Sequence, residues 1–136
     1  MRVVIDTNVI VSGLLFSGVP GQLIALWQSQ VITPCIAKEI LDEYLRVFSY
    51  PRFELTETEI QYLVYKQILP YFEVSQLPAY RPIVIPQDPS DDLFLYCAHA
   101  SGAPFVISGD RHLLALTSWK KIKIISPAAF LKNFSS

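Results

Sequence analysis

The strongest constraint on this chain is an alternation. Short, unbroken apolar runs alternate with longer stretches in which apolar residues recur at helical spacing. Val3-Val4-Ile5 is the first such run, and it stops at Asp6-Thr7-Asn8. A strand that is apolar at every position is buried on both faces, as in a parallel sheet covered by helices on each side. Helical patterns follow over residues 9–16 and 21–28, and a second short strand is expected over 31–33, ended by Pro34. Ile36, Ile40, Leu41, Tyr44, Leu45 and Phe48 then form an amphipathic stripe over 36–48. Thr56 and Glu59 have capping-box spacing at the head of a helix expected to reach about residue 69. Pro78, Pro82, Pro86 and Pro89 punctuate a connection over 72–89 that is too short and too apolar to separate two folded units. After it come a helix over 91–101, a strand over 104–107 and a short helix at Arg111–Leu116. A last strand, Ile122–Ile125, and a last helix over 127–131 complete the chain. This order predicts an α/β fold: a three-layer α/β/α sandwich around a short, mostly parallel sheet, with residues 1–136 forming one domain.

The chain has 136 residues, of which 51% are hydrophobic and 17% charged, which excludes a disordered or highly charged scaffold. Eleven basic residues against twelve acidic ones leave a net charge of -1, so bulk charge attracts no polyanion. A nucleic-acid role must therefore come from a local site. Cys35 and Cys97 make no Cys-x-x-Cys pair and no disulfide framework, which suits a reducing compartment. Cys97-Ala98-His99 has no second close ligand pair for zinc, and Cys97 reads as a small core residue. The opening segment has a carboxylate where a signal peptide would be apolar, and no run of eighteen apolar residues occurs, so a cytoplasmic protein is expected. Neither a Gly-rich phosphate loop nor a Gly-x-Ser-x-Gly elbow is found.

The carboxylates carry the chemistry. Asp6 ends the first strand, Asp110 follows the strand over 104–107, and Asp91 and Asp92 open a helix. In a doubly wound sheet, strand ends and the helix starts that follow them share one edge, where ligand sites form. Asp6, Asp92 and Asp110 should converge there, with Glu39 placed to join them. Each has a plainer reading too. Asp91 and Asp92 complement a helix dipole, Asp110 caps its helix, Glu39 is a solvated helix residue, and Asp88 stabilises its loop. Carboxylates gathered together repel one another, and their pKa values rise unless a cation neutralises them. Mg²⁺ takes oxygen ligands and keeps several waters, and a metal so held can bind a phosphodiester, activate a water and stabilise the leaving oxygen.

Val4-Ile5-Asp6-Thr7-Asn8-Val9 resembles the opening motif of the PIN domain family. Ala37-Lys38-Glu39-Ile40-Leu41 is similar to its second acidic block. Asp91-Asp92-Leu93-Phe94-Leu95, leading into Ala98-His99-Ala100-Ser101-Gly102-Ala103, is similar to the third. Phe105-Val106-Ile107-Ser108-Gly109-Asp110 is similar to the fourth. The four blocks keep the family's order over nearly the whole chain, in the style of small prokaryotic PIN proteins that serve as toxins of toxin-antitoxin pairs. The resemblance implies an α/β/α sandwich and a Mg²⁺- or Mn²⁺-dependent endoribonuclease acting on single-stranded RNA. It implies an acidic, metal-binding and catalytic quartet of Asp6, Glu39, Asp92 and Asp110, supported by Thr7, Asn8 and Ser108. Counting from Ser108 favours Asp92 over Asp91, leaving Asp91 as a helper, and Glu43, on the same face as Glu39, stays open as a substitute or assistant. It also implies a cognate antitoxin as partner.

Lys120, Lys121 and Lys123, with Arg111, offer either a contact to a nucleic-acid backbone or the solvated end of an edge strand, and His112 reads as a surface helix residue. Tyr44, Phe48, Tyr50, Phe53, Tyr62 and Tyr65 read as core or as the face of a homodimer. Two other functions stay open: a catalytically silent interaction module on the same fold, and an aspartate-based phosphoryl-transfer protein using Asp6. The second is disfavoured because Asp6-Thr7-Asn8 lacks another acid two residues on.

Overall fold

A computed structural model describes residues 1–134. The chain begins with strand β1 (Arg2–Ile5), helix α1 (Thr7–Phe16), helix α2 (Gly18–Gln28), strand β2 (Thr33–Ile36) and helix α3 (Lys38–Phe48). Helix α4 (Glu57–Tyr62) runs into a π-helical turn at Leu63–Ile68, and a two-residue strand, β3 (Glu73–Val74), follows. A 3-10 turn at Pro89–Asp91 leads into helix α5 (Asp92–Ser101), strand β4 (Phe105–Ile107) and helix α6 (Arg111–Leu116). Strands β5 (Ser118–Trp119) and β6 (Ile122–Ile125) and helix α7 (Pro127–Phe134) finish the fold. The strands form one six-stranded sheet in the order β3-β2-β1-β4-β6-β5, parallel throughout except for β5 against β6. This is the expected α/β fold, a mostly parallel sheet flanked by helices.

Burial confirms the reading of the apolar runs. Val3, Val4 and Ile5 are successive residues and all are at most 1% exposed, which requires cover on both faces of β1. Helix α5 lies against β1, β2 and β4, while α1 packs on α2 and α3, and α2 packs on α7. Cys35 and Cys97 are buried free thiols, and Cys97 is the small core residue expected.

Two local readings differ from the structure, and strand β5 has no counterpart in the sequence reading. β2 does not stop at Pro34 but runs through it. The Thr33 N–H donates to the Met1 carbonyl at 2.8 Å, so alternation turns the Pro34 nitrogen toward β3, which begins only opposite Cys35. Its missing N–H therefore costs no ladder bond. The helix capped by Thr56 and Glu59 has both reciprocal capping bonds, but it widens after Tyr62. There the Leu69 N–H reaches the Val64 carbonyl at 2.9 Å, five residues back. The widening buries Val64 and Ile68 and leaves Tyr62 and Tyr65 exposed. Finally, β5 is an antiparallel edge strand, joined to β6 through a tight turn with Lys120 at φ 56°. Tyr44 and Phe48 are fully buried in the core, as expected for one of the two readings of the aromatics. Among the described residues no single helix is long and apolar enough to cross a membrane. The apolar pair α1 and α2 is bent by 94°, and its side chains Ile10, Leu23 and Trp27 sit in the core.

Candidate metal centre

The site is built on the carboxyl ends of the two central strands. β1 and β4 are in register with Ile5 opposite Ile107, and the Asp6 N–H extends the ladder to the Ile107 carbonyl at 3.0 Å. The next residues out of the sheet, Asp6 and Ser108, are thereby brought side by side. Asp6 is the N-cap of α1: its Oδ1 accepts the Val9 N–H at 2.9 Å, and its Oδ2 accepts the Ser108 hydroxyl. The Ser108 Oγ in turn accepts the Asp110 N–H at 2.9 Å. Asp110 is the N-cap of α6, its Oδ1 accepting the His112 and Leu113 N–H groups at 2.8 and 3.1 Å.

The third side of the cleft comes from the turn before α5. The Asp91 N–H donates to the Asp88 carbonyl at 3.0 Å, and the Ser90 hydroxyl donates to the Asp88 carboxylate. Helix α3 closes the fourth side. The buried Tyr44 hydroxyl donates to the Ile5 carbonyl at 2.8 Å, which pins α3 to the end of β1. Glu43, one residue earlier, then faces Thr7, whose hydroxyl it accepts, and its other oxygen lies 3.4 Å from the Arg46 guanidinium. The resulting cleft of about 190 Å³ is lined by five carboxylates (Asp6, Glu43, Asp88, Asp91 and Asp110) and one cation, Arg46. Single ligand atoms of Asp88, Asp91, Asp110 and His112 lie within 4.8 Å of one another.

Two expected members of the quartet lie elsewhere. Both carboxylate oxygens of Asp92 are occupied by backbone, accepting the Val84 and Ile85 N–H groups at 2.8 and 2.9 Å. Asp92 thus anchors the proline-rich connection, and Asp91 takes the place in the cleft that counting had given to its neighbour. Glu39 sits a turn of α3 away from Glu43, exposed, and pairs with Arg81 at 3.6 Å. A shared helix face does not make equal depth, because one turn advances about 5.4 Å. Asp6, Asp110, Thr7, Asn8 and Glu43 line the cleft as anticipated, and Ser108 is buried behind it. Asp88, read as a loop stabiliser, also lines it, and so do Arg46 and Tyr50. Arg46 could have been found from its three-residue spacing to Glu43; Tyr50 had no local signal.

Electrostatics mark the cleft as short of positive charge. Burial pushes the Asp6 carboxyl up to about 6, opposed by the bonds from Ser108 and Val9 and reinforced by the Asp110 charge. Burial and then the neighbouring Asp110 carboxyl push Asp91 up to about 8. Burial also works to raise Asp110, but the Leu113 N–H, the Asp91 carboxyl and the His112 N–H outweigh it and hold this group low. Asp91 Oδ2 is buried without any hydrogen-bond partner. A buried unpartnered carboxylate oxygen is costly, and here it lies among other hard oxygen donors. This donor set fits a divalent cation such as Mg²⁺ or Mn²⁺.

Residues 2–112, more than half of the chain, match the family model described as PIN domain. The chain belongs to the PIN domain family. No curated protein matches it. Proteins with this nuclease-type fold are generally metal-dependent nucleases, and this PIN domain holds an acidic cluster able to bind the metal. The match ends just inside α6, after the last acidic residue of the cleft; β5, β6 and α7 lie beyond it.

Proposed function

We propose that this PIN domain is a divalent-metal-dependent endoribonuclease that hydrolyses single-stranded RNA. The observation that carries the reading is the buried, unpartnered Asp91 oxygen in a cleft of five carboxylates, two of which, Asp6 and Asp110, are fixed by backbone hydrogen bonds. Asp6, Asp91 and Asp110, with Asp88 beside them, would hold the cation. A divalent cation bound there supplies charge for the phosphodiester and lowers the pKa of water. Ser108 orients both Asp6 and Asp110, and Thr7 orients Glu43. Glu43 accepts the proton of the water whose oxygen attacks phosphorus, one P–O ester bond breaks, and the departing oxygen takes a proton from solvent. Arg46, paired with Glu43 in the lining of the cleft, would meet the phosphate.

The test is cleavage of a mixed pool of single-stranded RNAs with Mn²⁺, with Mg²⁺ and with EDTA, by wild type, Asp6→Asn and Asp91→Asn. Metal-dependent cutting that both variants lose is the expected result. No cutting by the folded wild type in any condition overturns the reading. The likeness to toxin components extends the proposal to a cytoplasmic toxin whose cleft a cognate antitoxin covers. Expression should then arrest growth, and Asp6→Asn should relieve the arrest.

A further inference from the structure

We propose that the surface where α1 ends beside the turn after α3 is a base-stacking subsite that feeds a single polynucleotide strand into the acidic cleft. The inference rests on the ribonuclease reading for its reaction but on different residues for its binding. Phe16, the last residue of α1, is 65% exposed, an unusual place for a large aromatic ring. Its ring lies 5.9 Å from that of Phe53, tilted by 48°. The Arg52 guanidinium sits 4.8 Å over Phe53 and 5.6 Å from the Tyr50 ring. Tyr50 belongs to the wall of the acidic cleft, so the row Tyr50, Arg52, Phe53, Phe16 leads outward from it. Asn8 lines both the acidic cleft and the hollow that holds Phe16, Arg52 and Phe53, and it makes the two continuous.

Charge points to the same ligand. Of the five arginines, Arg2, Arg46 and Arg81 are in ion pairs. Among the described residues Arg52 and Arg111 pair with no acid. Arg52 lies in the hollow beside Phe16, and Arg111 lies in the next hollow, which shares Asn8 and Ser12 with it. Two unneutralised guanidinium groups thus flank a cleft of carboxylates. The hollow beside Phe16 has no carboxylate in its lining. An exposed ring beside a stacked, unpaired arginine matches a ligand that alternates flat bases with phosphates. In a duplex the base faces are already stacked, so the subsite selects an unpaired strand.

The test is binding of a labelled oligouridylate by the full chain in EDTA, read by fluorescence anisotropy. An abasic phosphodiester strand of equal length and an RNA duplex serve as comparisons. Wild type should bind oligouridylate roughly tenfold more tightly than the abasic strand. Phe16→Ala should erase that difference, and Phe16→Trp should retain it. Arg52→Gln should weaken both strands alike and lower the salt slope by about one ion. Lys120→Gln, in the turn between β5 and β6, should change neither. Equal affinity for the base-bearing and abasic strands, an unaltered Phe16→Ala, or a loss from Lys120→Gln as large as that from Arg52→Gln overturns the subsite. Cleavage in Mn²⁺ is scored separately. Cutting without base-dependent binding overturns the subsite alone, while base-dependent binding without cutting leaves the subsite and overturns the nuclease.

Discussion

Asp91 and Asp92 are adjacent, yet one lines the cleft and the other is held by backbone, and removing each should have opposite consequences. Asp92→Ala strips the acceptors from two backbone N–H groups, a buried one at Ile85 and a half-buried one at Val84. An unsatisfied buried donor costs about 1–3 kcal/mol, and the half-buried one is partly recovered by water. The sum is about 2–4 kcal/mol, or a fall in Tm of about 10 °C for a chain of this size. Asp91→Ala removes a buried oxygen that has no partner, and this relief offsets the loss of the hydrogen bond that the Asp91 carboxyl shares with Asp110. In EDTA it should leave stability unchanged or raise it. Metal reverses the ranking. A cation at a hundred times its Kd stabilises the native state by about 2.7 kcal/mol. Asp92→Ala should keep that gain, and Asp91→Ala should lose it. Urea denaturation of the three proteins, with and without Mn²⁺, reads both quantities. If Asp92→Ala lost the metal-linked gain while Asp91→Ala kept it, the assignment of the cleft to Asp91 would be wrong.

Further outcomes follow from the same geometry. Asp6 and Asp91 have native pKa values of about 6 and about 8, against an ordinary 3.8. The unfolded chain releases these protons near pH 4 while the native state keeps them, so metal-free stability should fall as pH rises from about 4 to about 8. Thermal melts in EDTA across that range check the slope, which Mn²⁺ should flatten; a stability that rises instead contradicts the burial of these groups. Tyr44→Phe should cost about 1–2 kcal/mol through the lost bond to the Ile5 carbonyl. It should also slow RNA cleavage several-fold by freeing α3 and Glu43, and unchanged kinetics would show that Tyr44 only packs. Asp110→Ser keeps a capping oxygen for α6 and should cost less stability than Asp110→Ala, by about 1 kcal/mol in EDTA. Calorimetry should find metal binding weakened in both.

Strand-stop and helix-start signals made much of the fold readable. β1 with Asp6, α6 with Asp110 and the Thr56 capping box are local patterns, and the structure keeps them in place. What stayed hidden was set across the chain. Nothing near Asp91 and Asp92 says which will be held by backbone; the Val84 and Ile85 N–H groups decide it from inside the proline-rich connection. Glu39 and Glu43 share a helix face, but contacts made across the chain, Tyr44 with Ile5 and Thr7 with Glu43, fix which turn lies over the end of β1. β2 extends through Pro34 because its partner β3 is so short, and a two-residue strand such as β3 or β5 has no periodicity to read.

Capping a helix and holding a cation look like competing explanations for an aspartate that follows a strand. In this chain the two are compatible, because each cap takes only one oxygen of its carboxylate. Oδ1 of Asp6 takes the Val9 N–H, and Oδ1 of Asp110 takes those of His112 and Leu113. Each cap freezes its carboxylate as part of folding, so little side-chain entropy is left to lose when a ligand arrives. Parallel register does the rest. β1 and β4 end level, their next residues meet through the Ser108 hydroxyl, and that hydroxyl also fixes the backbone of Asp110. Repulsion among the carboxylates would spread them if they were mobile. Asp6 and Asp110 are tied to helix starts and cannot separate, and burial first, with the Asp110 charge added to it, raises the pKa values of Asp6 and Asp91. A divalent cation can relieve the repulsion by taking the place of the proton that Asp91 keeps near neutral pH. Thus a protein with a net charge of only -1 can concentrate five carboxylates in one cleft and there favour a divalent cation.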